Sequence, residues 1–152
     1  MDQVYVSRNS VFSAATGAKT LLKIVTGAAF LLKVHEIGVS MDGVTSSAVP
    51  ATLDIFTSDE TTAGTGGGSP VTTQIKGLTV AHGTTVTCNH TAEGTTYTVV
   101  KSLFAPQYMG LLVLQNPLGL EEQALALSDS IGLRINTSAT VNVLAWIKWS
   151  RA

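Results

Sequence analysis

The sequence predicts an all-β protein, an antiparallel two-sheet sandwich of the jelly-roll kind. Three observations carry that expectation. Apolar residues alternate with polar ones at the two-residue period of a strand almost throughout the chain. Segments of about six to ten residues are separated by turn-forming Gly, Pro, Asn and Asp, as a sandwich requires. The polar remainder is dominated by Thr and Ser rather than by the charged residues of surface helices, since only 12% of the 152 residues are charged.

Taken in order, residues 1–18 form an N-terminal arm, in which Val4, Val6, Val11 and Phe12 need cover and are expected to lie on a neighbouring subunit. Residues 19–152 form the sandwich domain. Lys19 to Thr26 and Phe30 to Met41 read as two strands joined by a turn around Gly27. The apolar phase of the second slips between Val34 and Ile37, as a β-bulge near Glu36 and Gly38 would produce. Asp42-Gly43 marks a turn, and Pro50 opens the next strand, where Ala51, Leu53 and Ile55 share a face.

Thr57 to Pro70 has no periodicity, and its Gly66-Gly67-Gly68 run predicts a mobile loop. Strands follow at Thr84 to His90, at Thr95 to Phe104 after a Glu93-Gly94 turn, and at Gly110 to Leu114. Asn116-Pro117-Leu118-Gly119 breaks the chain. Leu120 to Leu127 is the one segment compatible with a short helix, and equally with an extended connection. Ile131, Leu133 and Ile135 define the penultimate strand, joined by a hairpin turn over residues 136–139 to the last. In that last strand Val141 to Trp149 carry bulk on both faces, which places it inside a sheet.

Composition narrows function by exclusion. A net charge of -1, with nine Lys and Arg scattered along the chain, offers no basic face for nucleic acid. One cysteine, Cys88, cannot build a disulfide framework or a cysteine-rich zinc site. Met1-Asp2-Gln3-Val4 lacks the features of a signal peptide, and Leu21 to Val34 is too short and too often interrupted by lysine to span a bilayer. A mean hydropathy of +0.32 with so little charge implies that other subunits cover part of the apolar surface.

Candidate chemistry is sparse. His35, His82 and His90 have no ligand spacing, and Cys88 with His90 on one side of a strand makes at most half a metal site. Gly64 to Ser69 lacks the lysine and the following helix of a phosphate loop. No acid, base and nucleophile converge, so the sequence reads as no enzyme, with no cofactor and no metal. Trp146 and Trp149 lie on opposite faces of the last strand and cannot form one sugar platform; one belongs to the core and the other to a subunit contact. The partner-binding candidates are therefore Val4, Val6, Val11, Phe12, Trp146 and Trp149.

One further pattern stands out. Lys19 to Val25, Val34 to Thr45, Ala48 to Leu53 and Thr61 to Thr65, with Gly132 to Ile135 and Ala139 to Val143, resemble a family of small β-rich structural proteins of tailed bacteriophages. The likeness covers most of residues 19 to 149, departing at Gly66 to Ser69, where relatives are shorter. It implies a capsid decoration or cement protein, a homotrimer that clamps the major capsid protein on the virion surface after assembly in the host cytoplasm. The alternative is a tail- or fibre-associated sandwich module that recognises host-surface glycans.

Overall fold

The computed structural model describes residues 3–27, 29–42, 49–58, 64–108, 110–123 and 129–152. Its strands are β1 (Val4–Arg8), β2 (Phe12–Ala14), β3 (Gly17–Val25), β4 (Leu32–Met41), β5 (Ala51–Ser58), β6 (Thr65–Gly66), β7 (Val71–Lys76), β8 (Thr85–Cys88), β9 (His90–Ala92), β10 (Thr98–Ala105), β11 (Gly110–Gln115), β12 (Glu122–Gln123), β13 (Ser130–Thr137) and β14 (Val141–Arg151). The first sheet runs β11-β4-β14-β1-β7, with β12 added to β4 and β2 to β14. The second runs β10-β5-β13-β3-β8, and β6 pairs with β9 apart from both. Every pairing is antiparallel, and the two large sheets pack as a sandwich, as the sequence predicts.

The core follows from the alternation. Val143, Ala145, Ile147 and Trp149 of β14 face Leu53, Ile55, Ile131, Leu133 and Ile135 of the second sheet, and all are buried. Trp149 lies wholly in this core, stacked on Tyr5 at 4.7 Å with its Nε1 donating to Ser7 Oγ at 3.0 Å. The expected bulge is present in β4: opposite β14, Glu36 pairs with Lys148 and Val34 with Trp149, which leaves His35 as the extra residue. The phase slip of the apolar residues is the sequence trace of that insertion.

Several expectations need correction. Of the expected arm over residues 1–18, residues 4–14 are built into the first sheet: β1 is hydrogen-bonded between β14 and β7, and β2 pairs with β14. Val4 and Val6 take the outward phase of β1, while Tyr5 and Ser7 take the buried one, so the strand is anchored by residues between the valines. The hairpin at residues 136–139 is also wrong. Thr137 ends a strand of the second sheet and Val141 starts one of the first, so the short turn carries the chain across the core. A hairpin and such an arch share the same turn residues; only the destination of the backbone hydrogen bonds separates them.

The glycine run is packed rather than loose. Gly67 N donates to Cys88 O and Asn89 O at 3.1 and 2.9 Å, and Gly68 N to Cys88 O at 3.2 Å. A Cβ at Gly68 would meet Asn89 Nδ2 at 2.6 Å and Cys88 Sγ at 2.8 Å, so glycine is there for close approach. Cys88 and His90 do not share a regular strand, because Asn89 between them sits at φ 52° and ends β8. Glu122–Gln123 is extended against β4, not helical. The rest of the helix candidate (124–127), Gly43 of the Asp42-Gly43 turn and part of the expected 57–70 loop (59–63) lie outside the described residues.

Candidate interaction face

The two sheets differ in how their outer faces are covered. On the second sheet the chain covers the outer side of β13 and β3 itself, while edge strand β10 keeps Val99 and Phe104 exposed. Phe56 covers Gly132, where a Cβ would fall 2.3 Å from the ring. Arg134 pairs with Asp54 at 3.0 Å and lies 3.9 Å from the centre of the Tyr97 ring. Glu93, from the segment before β10, accepts from Thr20 N and Thr20 Oγ1 at 2.8 and 2.5 Å. These contacts explain why Thr20, Gly132 and Arg134 are buried on what alternation alone marks as an outward side.

Nothing among the described residues closes the first sheet in that way. In register across β11, β4 and β14, Val113 sits beside Gly38 and Gly38 beside Trp146, while Leu111, Ser40 and Leu144 form the next row. The Trp146 ring fills the space over Gly38, because a Cβ there would lie 1.8 Å from it. Around it Leu111, Val113 and Leu144 are exposed, Leu144 by 46%. Val11, 66% exposed in the β1–β2 connection, joins Leu144, Asp42 and Asn142 around a shallow cavity of about 180 Å³. The face is thus aliphatic at one end with a half-buried tryptophan at its centre.

Its polar groups are tied to one another. Glu36 accepts from Gln115 Nε2 at 2.8 Å and from Trp146 Nε1 at 3.2 Å, with Lys148 nearby. The Gln115 hydrogen bond, above all, holds the Glu36 carboxyl below its ordinary pKa, against the opposing effect of burial. Asp42 likewise accepts from Asn142 N and Nδ2 at 3.2 and 2.7 Å. With both carboxylates bound to their own sheet, the end of the face around Leu111, Val113 and Leu144 presents aliphatic side chains to a partner.

Of the six partner-binding candidates, the structure places Val4, Val6 and Trp146 on this outward face, half-buried, and Val11 at its end. Phe12 packs against the core, and Trp149 is removed from the set because it is core. The face also includes Leu111, Val113 and Leu144, which sequence reasoning did not single out. Their signal is the Gly110 to Gln115 run, apolar at both strand phases though only one phase, Leu112 and Leu114, packs toward the core. A second apolar cluster lies on edge strand β10, where Val99, Val100 and Phe104 are exposed, Phe104 by 78%.

No group of three or more His, Cys, Asp or Glu residues among the described residues is arranged to hold a metal ion. Cys88 is buried, and burial pushes its thiol pKa up. His35, His82 and His90 each bond a hydroxyl, of Ser150, Thr84 and Thr87, at 2.8, 2.8 and 2.9 Å. What fold and site define is a class: an antiparallel β-sandwich with one sheet partly covered by its own chain and an exposed aliphatic patch on the other. No protein-family model, curated protein or solved structure matches the chain.

Proposed function

We propose that this chain is a virion structural protein, a capsid decoration protein that self-associates as a homotrimer and stabilises the shell of the major capsid protein. The observation that carries the reading is the uncovered aliphatic face of the first sheet, on a protein with 12% charged residues. Such a surface favours permanent burial against protein, through apolar area rather than salt-sensitive ion pairs. The strand order adds support. The succession β1-β14-β4-β11 facing β3-β13-β5-β10 fits the order expected of an eight-strand jelly roll, an architecture found among viral shell components. The resemblance to small tailed-phage structural proteins points the same way and implies a position on the capsid surface after assembly in the host cytoplasm. The reading assigns no catalytic role and no cofactor.

The glycan-binding alternative has less to stand on. Trp149 is in the core and Trp146 lies over Gly38 beside Glu36, so no paired aromatic platform is offered to a sugar. The test is co-sedimentation with undecorated shells of the major capsid protein encoded in the same genome. Wild-type protein is expected to pellet with the shells and raise their resistance to heat. Leu144→Asp, which places a charge in the aliphatic face, is expected to lose about tenfold or more in apparent affinity. Absence of binding by wild-type protein contradicts the reading, and a glycan-array signal without shell binding replaces it with the alternative.

A further inference from the structure

A cavity of about 520 Å³ opens on the outer side of the first sheet at the end away from Val11. Two bulges frame it. His35 is the extra residue of β4 opposite β14, and Ile75 is the extra residue of β7, since Val4 pairs with Lys76 and Tyr5 with Gln74. Both bulge residues line the cavity. A bulge re-aims a side chain at the cost of ladder hydrogen bonds, and two of them converging on one hollow mark a built feature rather than accidental roughness.

The wall beside β11 is equally fixed. Asn116 N donates to His35 O, and Asn116 Nδ2 to Val34 O, both at 2.9 Å. Leu120 N closes a turn onto Pro117 O at 3.0 Å, with Gly119 at φ 86° in the left-handed position that turn requires. Gly119 N in turn donates to Glu121 Oε2 at 2.9 Å. All these bonds hold Leu118, which is 93% exposed yet lines the cavity. A leucine presented on a pinned turn has lost its ordering cost before any partner arrives.

The charges complete the picture. Lys76 and Lys148 line the cavity with one carboxylate, Glu36, whose oxygens already accept from Gln115 and Trp146. The two ammonium groups outnumber the one carboxylate among the described lining residues, although Lys148 also lies close enough to Glu36 to lower its pKa, and they stand beside the aliphatic Val4, Ile75 and Leu118. Among the described residues no Phe, Tyr or Trp lines the hollow, which disfavours sugars. Its volume suits a few residues of extended chain.

We propose that this cavity is a docking site for a short acidic segment of a protein partner, with carboxylates paired to Lys76 and Lys148 and an aliphatic side chain held by Leu118 and Ile75. The inference stands on the cavity and not on the capsid reading, and its test needs no shell. The folded protein is titrated with the peptide acetyl-Glu-Leu-Glu-amide while backbone amide resonances are followed. Parallel titrations use acetyl-Gln-Leu-Gln-amide and galacturonic acid. The acidic peptide is expected to shift the amides of Ile75, Lys76, Leu118 and Lys148 with a millimolar dissociation constant that weakens as salt rises. The double variant Lys76→Gln, Lys148→Gln is expected to weaken it about tenfold, and Leu118→Ser to weaken it without changing the salt dependence. Both variants alter surface side chains, and their unperturbed spectra verify the fold. The proposal is overturned if those amides do not move, if the Gln peptide binds as well as the acidic one, or if only the sugar acid binds.

Discussion

Asn9 is the most exacting single position for this account of the fold. It follows β1, where β14 loses one partner and has not yet gained β2, and it takes over the missing pairing. Its N donates to Ala145 O at 3.1 Å and its Oδ1 accepts from Ala145 N at 2.8 Å, so side chain and backbone together imitate a strand. Its Nδ2 donates to Asn89 Oδ1 at 3.0 Å, which ties the β8–β9 corner to the sandwich, and the residue is 2% exposed. Asn9→Ala leaves Ala145 N and Asn89 Oδ1 buried without partners. At about 1–3 kcal/mol for each orphaned group, the expected loss is roughly 2–5 kcal/mol. For a chain of this size that lowers Tm by about 5–15 °C. Asn9→Asp sharpens the test. It keeps the acceptor for Ala145 N but sets a carboxylate oxygen against Asn89 Oδ1, and Asn89 cannot rotate without losing its bonds to Ser10 O and Oγ, both at 3.0 Å. Chemical denaturation with matched slopes is the assay. A loss below about 0.5 kcal/mol for Asn9→Ala would refute the claim that this residue completes the sheet.

Three other predictions rest on separate contacts. Gly68→Ala is expected to cost about 1–3 kcal/mol in the same assay, because its Cβ would press on Asn89, Cys88 and Ser10; a neutral result would return the segment to a loose loop. The Cys88 thiol, buried and raised in pKa, is expected to react with a thiol reagent at the rate of global unfolding; rapid labelling of folded protein would contradict its packing. Glu36 is held ionised by Gln115 and Trp146, so its contribution is full above the usual carboxylate range and is lost as pH falls through its lowered pKa. The stability gap between wild type and Glu36→Gln is therefore expected to close on acidification from about pH 5 to about pH 3, and a constant gap would remove Glu36 from the network.

Much of the fold is legible in the residues because strand alternation is a local property. The inward set Val143, Ala145 and Ile147, the Pro50 strand start and the β4 bulge can all be read from spacing. What is not legible is which sheet a strand joins. Thr137 to Val141 reads as a hairpin because a turn's residues fix its tightness, not the partner beyond it. The Gly66 to Gly68 run misleads for a related reason: glycine serves a loose loop and a crowded contact equally well, and only the neighbouring Cys88–Asn89 backbone tells them apart. Trp149 and Trp146 are correctly divided by strand phase into core and surface, yet phase does not predict that Phe56, Tyr97 and Glu93 cover the outer side of β3 and β13 while Leu111, Val113 and Leu144 stay exposed on the other sheet.

The central claim is that the open face of the first sheet drives assembly. It is tested most directly by light scattering on the purified protein over a range of concentrations, at low and high salt, with Leu144→Asp measured alongside. The account predicts a mass of three chains of 15.8 kDa that persists at high salt, and a single-chain mass for the variant. A wild-type protein that stays at the single-chain mass throughout, or a variant that assembles as well as wild type, contradicts it.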